Sequence, residues 1–195
     1  MTPPRLLLHI CCAPDEAWVV KSLKDSFELH CFFCNPNITD PAEYTLRCNE
    51  ARKVADYYGV PFTEDDYIPE LWENAVCDVT ATPEGGERCR RCFKLRLERT
   101  AKFCVSIGWI DFTTVMSISP HKNIRDLNSI GTQCAQAHGL TYQCHDFKKK
   151  DGFRNSILLS KELHLYRQDY CGCRLSKLEA ESRKSKRLQT EQTTI

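Results

Sequence analysis

Residues 5–16, Arg5 to Glu16, read RLLLHICCAPDE, and the reading of this stretch decides the fold. Its apolar run, Leu6, Leu7, Leu8, His9 and Ile10, is too short to cross a bilayer and suits a strand buried on both faces. Two adjacent thiols, Cys11 and Cys12, follow at the carboxyl end, the edge where open α/β sheets place their ligand sites. Pro14, Asp15 and Glu16 then open a helix, whose amino terminus accepts proline and favours negative charge. On this stretch alone the simplest reading of the two thiols is a pair of small buried hydrophobes.

Working outward, the hydrophobic pattern alternates between strand and helix. A helix over residues 15–26 precedes a strand at Glu28–Cys34, an Asn-Pro loop at Asn35–Asp40 and a helix at Pro41–Tyr58 stopped by Gly59. Val60–Tyr67 reads as a third strand and Pro69–Val76 as a short helix before a Pro- and Gly-rich loop. Cys89–Ile107 is an amphipathic helix that buries Phe93, Leu97, Ala101 and Cys104. Asp111–Ile118 and Thr141–Phe147 read as the fourth and fifth strands, with helices over 124–138 and 156–170. Such alternation asks for an α/β fold: a parallel sheet of five strands in the order 3-2-1-4-5, right-handed crossovers and helices on both faces. Residues 1–176 make one domain, and 177–195 a polar, partly basic tail that reads as frayed.

A chain of 195 residues can bury a core without disulfide staples, and a net charge of +1 describes no overall polyanion-binding surface. Thirteen cysteines are an excess, and their number is odd. Nothing at the amino terminus resembles a signal peptide, which implies a cytoplasmic, reducing compartment where excess cysteine points to metal or redox chemistry. No apolar stretch approaches the roughly 20 residues that span a membrane.

The thiols fall into groups. Cys89 and Cys92, in GERCRRCFKL, sit where a Gly-rich loop enters a helix; the spacing lets both sulfurs face one metal or cluster, and Arg88, Arg90 and Arg91 favour thiolate. Cys171 and Cys173, in YRQDYCGCRLS, lie one glycine apart and can share a metal or close a strained, easily reduced disulfide. Cys31 and Cys34 point to opposite faces of a strand and read as core. Cys48, Cys77, Cys104, Cys134 and Cys144 also read as core. Together Cys11, Cys12, Cys89, Cys92, Cys171 and Cys173 supply six thiols at element ends, where a cubane iron-sulfur cluster needs four. The remainder, with Asp15, leaves enough for a second metal or a redox pair.

Polar groups gather at the same ends: Asn35, Asn37, Glu43, Tyr44 and Arg47 after the second strand, Ser119, His121, Lys122 and Asn123 after the fourth, and Tyr166, Arg167 and Gln168 before the last cysteines. With Arg88 they are candidate substrate contacts. Asp15, His121 and Tyr166 are candidate proton donors.

LLLHICCAP, the NPNI…EY…R run, GERCRRCFKLRL, SPHKN, DFKKKDG and LYRQDYCGCRLS, in this order across residues 5–176, resemble the cobalamin-independent epoxyqueuosine reductase family. The resemblance implies a Rossmann-like iron-sulfur protein that removes the epoxide oxygen of epoxyqueuosine at the tRNA wobble position. It implies a 4Fe-4S cluster on Cys11, Cys12, Cys89 and Cys92, and a redox pair at Cys171 and Cys173. An alternative partition places some of Cys11, Cys12, Cys171 and Cys173, with Asp15, around a mononuclear iron beside the cluster. The implied partners are the tRNA anticodon loop and an electron donor of unstated identity, with no membrane. Lys148, Lys149, Lys150 and the basic tail are candidate phosphate contacts.

Two other readings remain open. An ATP-dependent tRNA-modifying enzyme of the same fold would carry a Gly-rich phosphate loop after the first strand, where this chain has HICCAPDEA without glycine. A zinc-stabilised RNA-binding module would use four thiols and leave a surplus.

Overall fold

Leu6, Leu8 and Ile10 on one side of β1 (Arg5–Ile10) and Leu7 on the other are fully buried, so the first strand is the middle of two hydrophobic layers. The structure is a computed structural model that describes residues 2–193. β1 pairs in parallel with β2 (Glu28–Phe33) on one side and with β4 (Asp111–Thr114) on the other. β3 (Phe62–Glu64) and β5 (Thr141–Tyr142) complete a parallel sheet of order β3-β2-β1-β4-β5, as the alternation requires.

Helices cover both faces. α1 (Ala13–Leu23) and α2 (Pro41–Tyr58) place Val19, Val20, Tyr44, Cys48 and Ala51 against Leu6, Leu8 and Phe33. α4 (Glu87–Ser106) and α5 (Ile124–Ala137) place Phe93, Leu97, Ala101 and Leu127 against Leu7, Phe32 and Phe112. Cys31 lies in the first of these cores and Cys34 in the second, on opposite faces as the strand period demands. α3 (Pro69–Val76) lies on α4, and α6 (Gly152–Glu162) on α1. The local signals are those expected: Asp40 accepts from the first amides of α2, Asn123 from Arg125 in α5, and Gly59 ends α2 in the left-handed region at φ 67°.

Five segments differ from the sequence reading, the first being β3, which keeps three of the residues expected over Val60–Tyr67. β4 stops at Thr114 because its hydroxyl captures the Met116 amide and starts a 3-10 turn at Val115–Ile118. β5 is then limited to two residues, since little of β4 is left to pair with. The helix expected over 156–170 runs instead over Gly152–Glu162. The following segment exchanges helical bonds for tertiary ones: Glu50 accepts from the Tyr166 amide, and Arg47 donates to the carbonyls of Tyr170 and Cys171. The expected frayed tail is a helix, α7 (Arg174–Thr193), tied down by Arg88–Glu179 and by burial of Ser176 and Ala180; residues 194 and 195 lie outside the described residues. Cys77 and Cys144, expected in the core, are exposed.

Candidate functional site

β1, β2 and the turn after β4 end side by side, in a register that pairs Ile10 with Phe33 and His9 with Thr114. Cys11 and Cys12, Asn35 and Asn37, and the Ser119–Asn123 turn therefore emerge at one edge, the crevice side of a parallel sheet. Asn35 latches this edge. Its amide donates to the Ile10 carbonyl at 2.9 Å, and its oxygen accepts from the buried Arg96 at 2.5 Å. Its role is to join the two strand ends, with no place on the cavity wall.

The edge carries a cavity of about 550 Å³. Cys11, Cys12 and Asp15 form part of its wall, with their ligand atoms all within 4.8 Å of one another. Burial pushes the Asp15 carboxyl up to about 6, against the thiol hydrogen bonds that favour its charge. Its hydrogen bond to Cys12 and burial drive the Cys11 thiol upward. Ser119, His121, Lys122, Arg167, Gln168, Tyr170 and Cys171 also line the cavity.

A second, small space lies alongside. Cys89 and Cys92 from the first turns of α4 meet Cys171 and Cys173 there, with Asn37, Trp72, Arg88 and Lys122. Thus the thiols sort as Cys89, Cys92, Cys171 and Cys173 around this space and Cys11, Cys12 and Asp15 apart from it. The family resemblance had joined Cys11 and Cys12 to Cys89 and Cys92. Cys171, Lys122 and Glu84 face both spaces. Lys122 Nζ donates to Cys171 Sγ at 3.1 Å. Burial opposes the Cys171 thiolate, but Lys122 and Arg96 outweigh it and hold this thiol below its ordinary value. Burial instead pushes Cys92 up to about 12.

Side chains around the small space carry donors that an acceptor-rich, negatively charged occupant would satisfy. Among the described residues Trp72 Nε1 and Arg88 Nε are buried without a hydrogen-bond partner, and both side chains line it. Each orphaned donor costs roughly 1–3 kcal/mol unless something fills its demand. Backbone amides already point at sulfur: Gly85 donates to Cys89 at 3.2 Å and Ser176 to Cys173 at 3.3 Å. Asn37 adds a third orphan in its Oδ1; turning its amide over would present donors to the same space. Four thiols, orphaned N–H donors and the cations of Arg88, Lys122 and Arg96 fit an iron-sulfur cluster.

The Cys171–Cys173 loop is held by a clamp. Arg47, 2 % exposed, pairs with Glu43 at 2.7 Å, lies over the Tyr170 ring and donates to the Tyr170 and Cys171 carbonyls. Tyr166 donates its hydroxyl to Glu43 and does not line the cavity. Glu43 and Arg47, expected as substrate contacts, are used to position this loop, although Arg47 also reaches the cavity wall. Tyr44 is core, stacked on Tyr67 and bonded to the Asp65 carbonyl, and Asn123 is the α5 cap.

Sequence reasoning missed Trp72, Glu84 and Arg96, and named Arg183 only within the basic tail, as a candidate phosphate contact. Arg96 had a signal: it stands four residues after Cys92, on the helix face shared with Phe93 and Leu97. Arg183, on the cavity wall, had a weaker one in its i,i+4 spacing from Glu179. Trp72 and Glu84 had none.

Among the described residues no helix is long and apolar enough to cross a membrane. Two solved structures share the fold. The U34-tRNA thiolase NcsA from Methanococcus maripaludis, solved with its [4Fe-4S] cluster, has a TM-score of 0.58 and 13% identity, over 100% of this chain and 68% of that one. A predicted subunit of a tRNA methyltransferase from Methanocaldococcus jannaschii has a TM-score of 0.52 and 13% identity, over 80% and 76%. The family profile described as Epoxyqueuosine reductase QueH matches residues 6–179. The chain is 36% identical to the Epoxyqueuosine reductase QueH of Thermotoga maritima, over 89% of this chain and 91% of that protein. It is 35% identical to the one from Streptococcus pyogenes, over 87% and 69%. The chain therefore belongs to the epoxyqueuosine reductase QueH family and is an oxidoreductase of queuosine synthesis.

Proposed function

We propose that the chain acts on epoxyqueuosine while it is part of tRNA, and that Cys89, Cys92, Cys171 and Cys173 hold a 4Fe-4S cluster while Cys11, Cys12 and Asp15 hold a single iron. The carrying observation is the pair of adjoining spaces, one thiol-lined and one open and nucleobase-sized, with Cys171 and Lys122 in the wall of both. Removing the epoxide oxygen takes two electrons and two protons and yields an alkene and water. Bound there, the cluster supplies electrons singly and an iron with an open position supplies Lewis acidity.

The chain's own residues do the rest. Asp15 and the paired thiols set one wall, and His121, on the turn that carries Lys122, faces the same cavity and delivers a proton. Ser119, Arg167 and Gln168 offer hydrogen bonds to the base and its hydroxyls; the buried Gln168 Oε1 has no partner among the described residues. Lys122 favours the charged form of the Cys171 sulfur between the two spaces.

An anticodon-loop base is already near the surface and can be turned into such a cavity without a separate RNA domain. Lys148 serves structure, donating to the Lys122 carbonyl, whereas Lys149 and Lys150 are exposed beside it. Changing Lys149 and Lys150 to glutamine should weaken tRNA binding and flatten its salt dependence, by about 0.7–0.9 in log–log slope per lost contact. An unchanged slope, measured by filter binding from low to high salt, would remove them from the interface.

The test of the function is an anaerobic iron and sulfide count, followed by incubation with epoxyqueuosine-containing tRNA and a reductant. Cys89→Ser should lose cluster and turnover together. Full turnover in that variant, or a colourless zinc-loaded wild type, would overturn the reading.

A further inference from the structure

Trp72 sits at the middle of α3, a helix with no other part in the site. It is 1 % exposed and packs in one apolar cluster with Val76, Cys92 and Cys173. Its indole nitrogen has no acceptor among the described residues, although buried indole N–H groups ordinarily find one. The ring lines the space enclosed by Cys89, Cys92, Cys171 and Cys173. A phenylalanine would serve packing alone; an indole adds a single N–H donor in the wall that these cysteines share.

Resting on the cluster assignment above, we propose that Trp72 is a positioning residue for the redox centre: its Nε1–H donates to a sulfur of the bound cluster and raises the cluster's reduction potential. The physical reason is charge. Each electron added to the cluster increases the negative charge on its sulfurs, so a donor aimed at them stabilises the reduced form more than the oxidised one. The backbone donors of Gly85 and Ser176 act on Cys89 and Cys173 in the same sense, and Arg88 adds a cation on the same wall. Trp72 differs from them in being removable without altering charge or backbone.

The test is a mediated potentiometric titration, followed by electron paramagnetic resonance, of reconstituted wild type and Trp72→Phe. Should the smaller ring loosen the fold, 3-benzothienylalanine at position 72 keeps the shape of tryptophan and lacks the N–H. The expected result is an unchanged iron and sulfide count with a reduction equilibrium about tenfold less favourable, which is about 59 mV more negative for a one-electron couple. A fully loaded variant with the wild-type potential overturns the proposal and leaves the cluster assignment standing. A wild type that takes up no iron and sulfide overturns that assignment, and this inference with it.

Discussion

Gly172→Ala is expected to lower turnover at least ~100-fold and to leave the protein poorly loaded with iron and sulfide, while its far-ultraviolet circular dichroism stays near that of wild type. Gly172 lies between Cys171 and Cys173 at φ 120°, a backbone conformation that L side chains rarely adopt. A Cβ built there would meet Ile38 Cγ1 at 2.9 Å, Arg47 Nη1 at 3.3 Å and Asn37 Nδ2 at 3.4 Å. Ile38 is fully buried, and Arg47 is fixed by Glu43 and by the carbonyls it clamps, so the loop is what must move. Its movement displaces two sulfurs together. A misplacement of about 1 Å is enough for a ~100-fold loss where geometry carries the chemistry. Because the strands of the sheet lie elsewhere and Ile38 is the one core residue the new Cβ meets, the fold persists. Wild-type iron content and turnover in this variant would show that the loop adapts and that the clamp does not set the sulfur positions.

Asp15→Asn is expected to separate the two thiol groups. Turnover should fall about 10²–10⁴-fold, the range for losing a group that acts directly on the reacting atoms, while the visible absorption of the cluster is retained. Asn keeps the shape and the hydrogen-bonding reach toward Cys11 and removes the negative charge. It leaves the space of Cys89, Cys92, Cys171 and Cys173 untouched, since Asp15 does not line it. The contrast with Cys89→Ser, which should lose colour and turnover together, is the informative comparison. Loss of the chromophore in Asp15→Asn would instead tie Asp15 to the cluster itself and overturn the partition.

Much of the fold was legible because its signals are local. The apolar run of β1, proline at the start of α1, α2 and α3, Asp40 and Asn123 as caps and Gly59 as a stop all act within one turn or strand of themselves. The ends of elements after residue 114 were misread where the decisive partner is distant in sequence. Helical periodicity continues through 163–170, yet Glu50 and Arg47, more than 100 positions earlier, take that segment's backbone groups. The helicity of α7 was hidden by its polarity, since its burial is confined to a few residues such as Ser176 and Ala180, and ion pairs such as Arg88–Glu179 and Lys184–Asp169 add to its ties.

For the candidate site, sequence alone determined which residue types are available and that they stand at strand and helix ends, because spacing and composition carry that information. It determined family membership in the same way, through motifs kept in order along the chain. The tertiary structure decided which thiols share a space. Cys89 and Cys92 come to Cys171 and Cys173 because α4 starts beside the loop that Arg47 clamps, while Cys11 and Cys12 leave β1 toward Asp15 in the first turn of α1. It also decided that Trp72, unremarkable in the sequence, packs with Cys92 and Cys173, and that Arg96, which the sequence only hinted at, is buried near Cys92 and Cys171. Distances between side chains far apart in the chain are set by the packing of whole layers, and no local pattern encodes them.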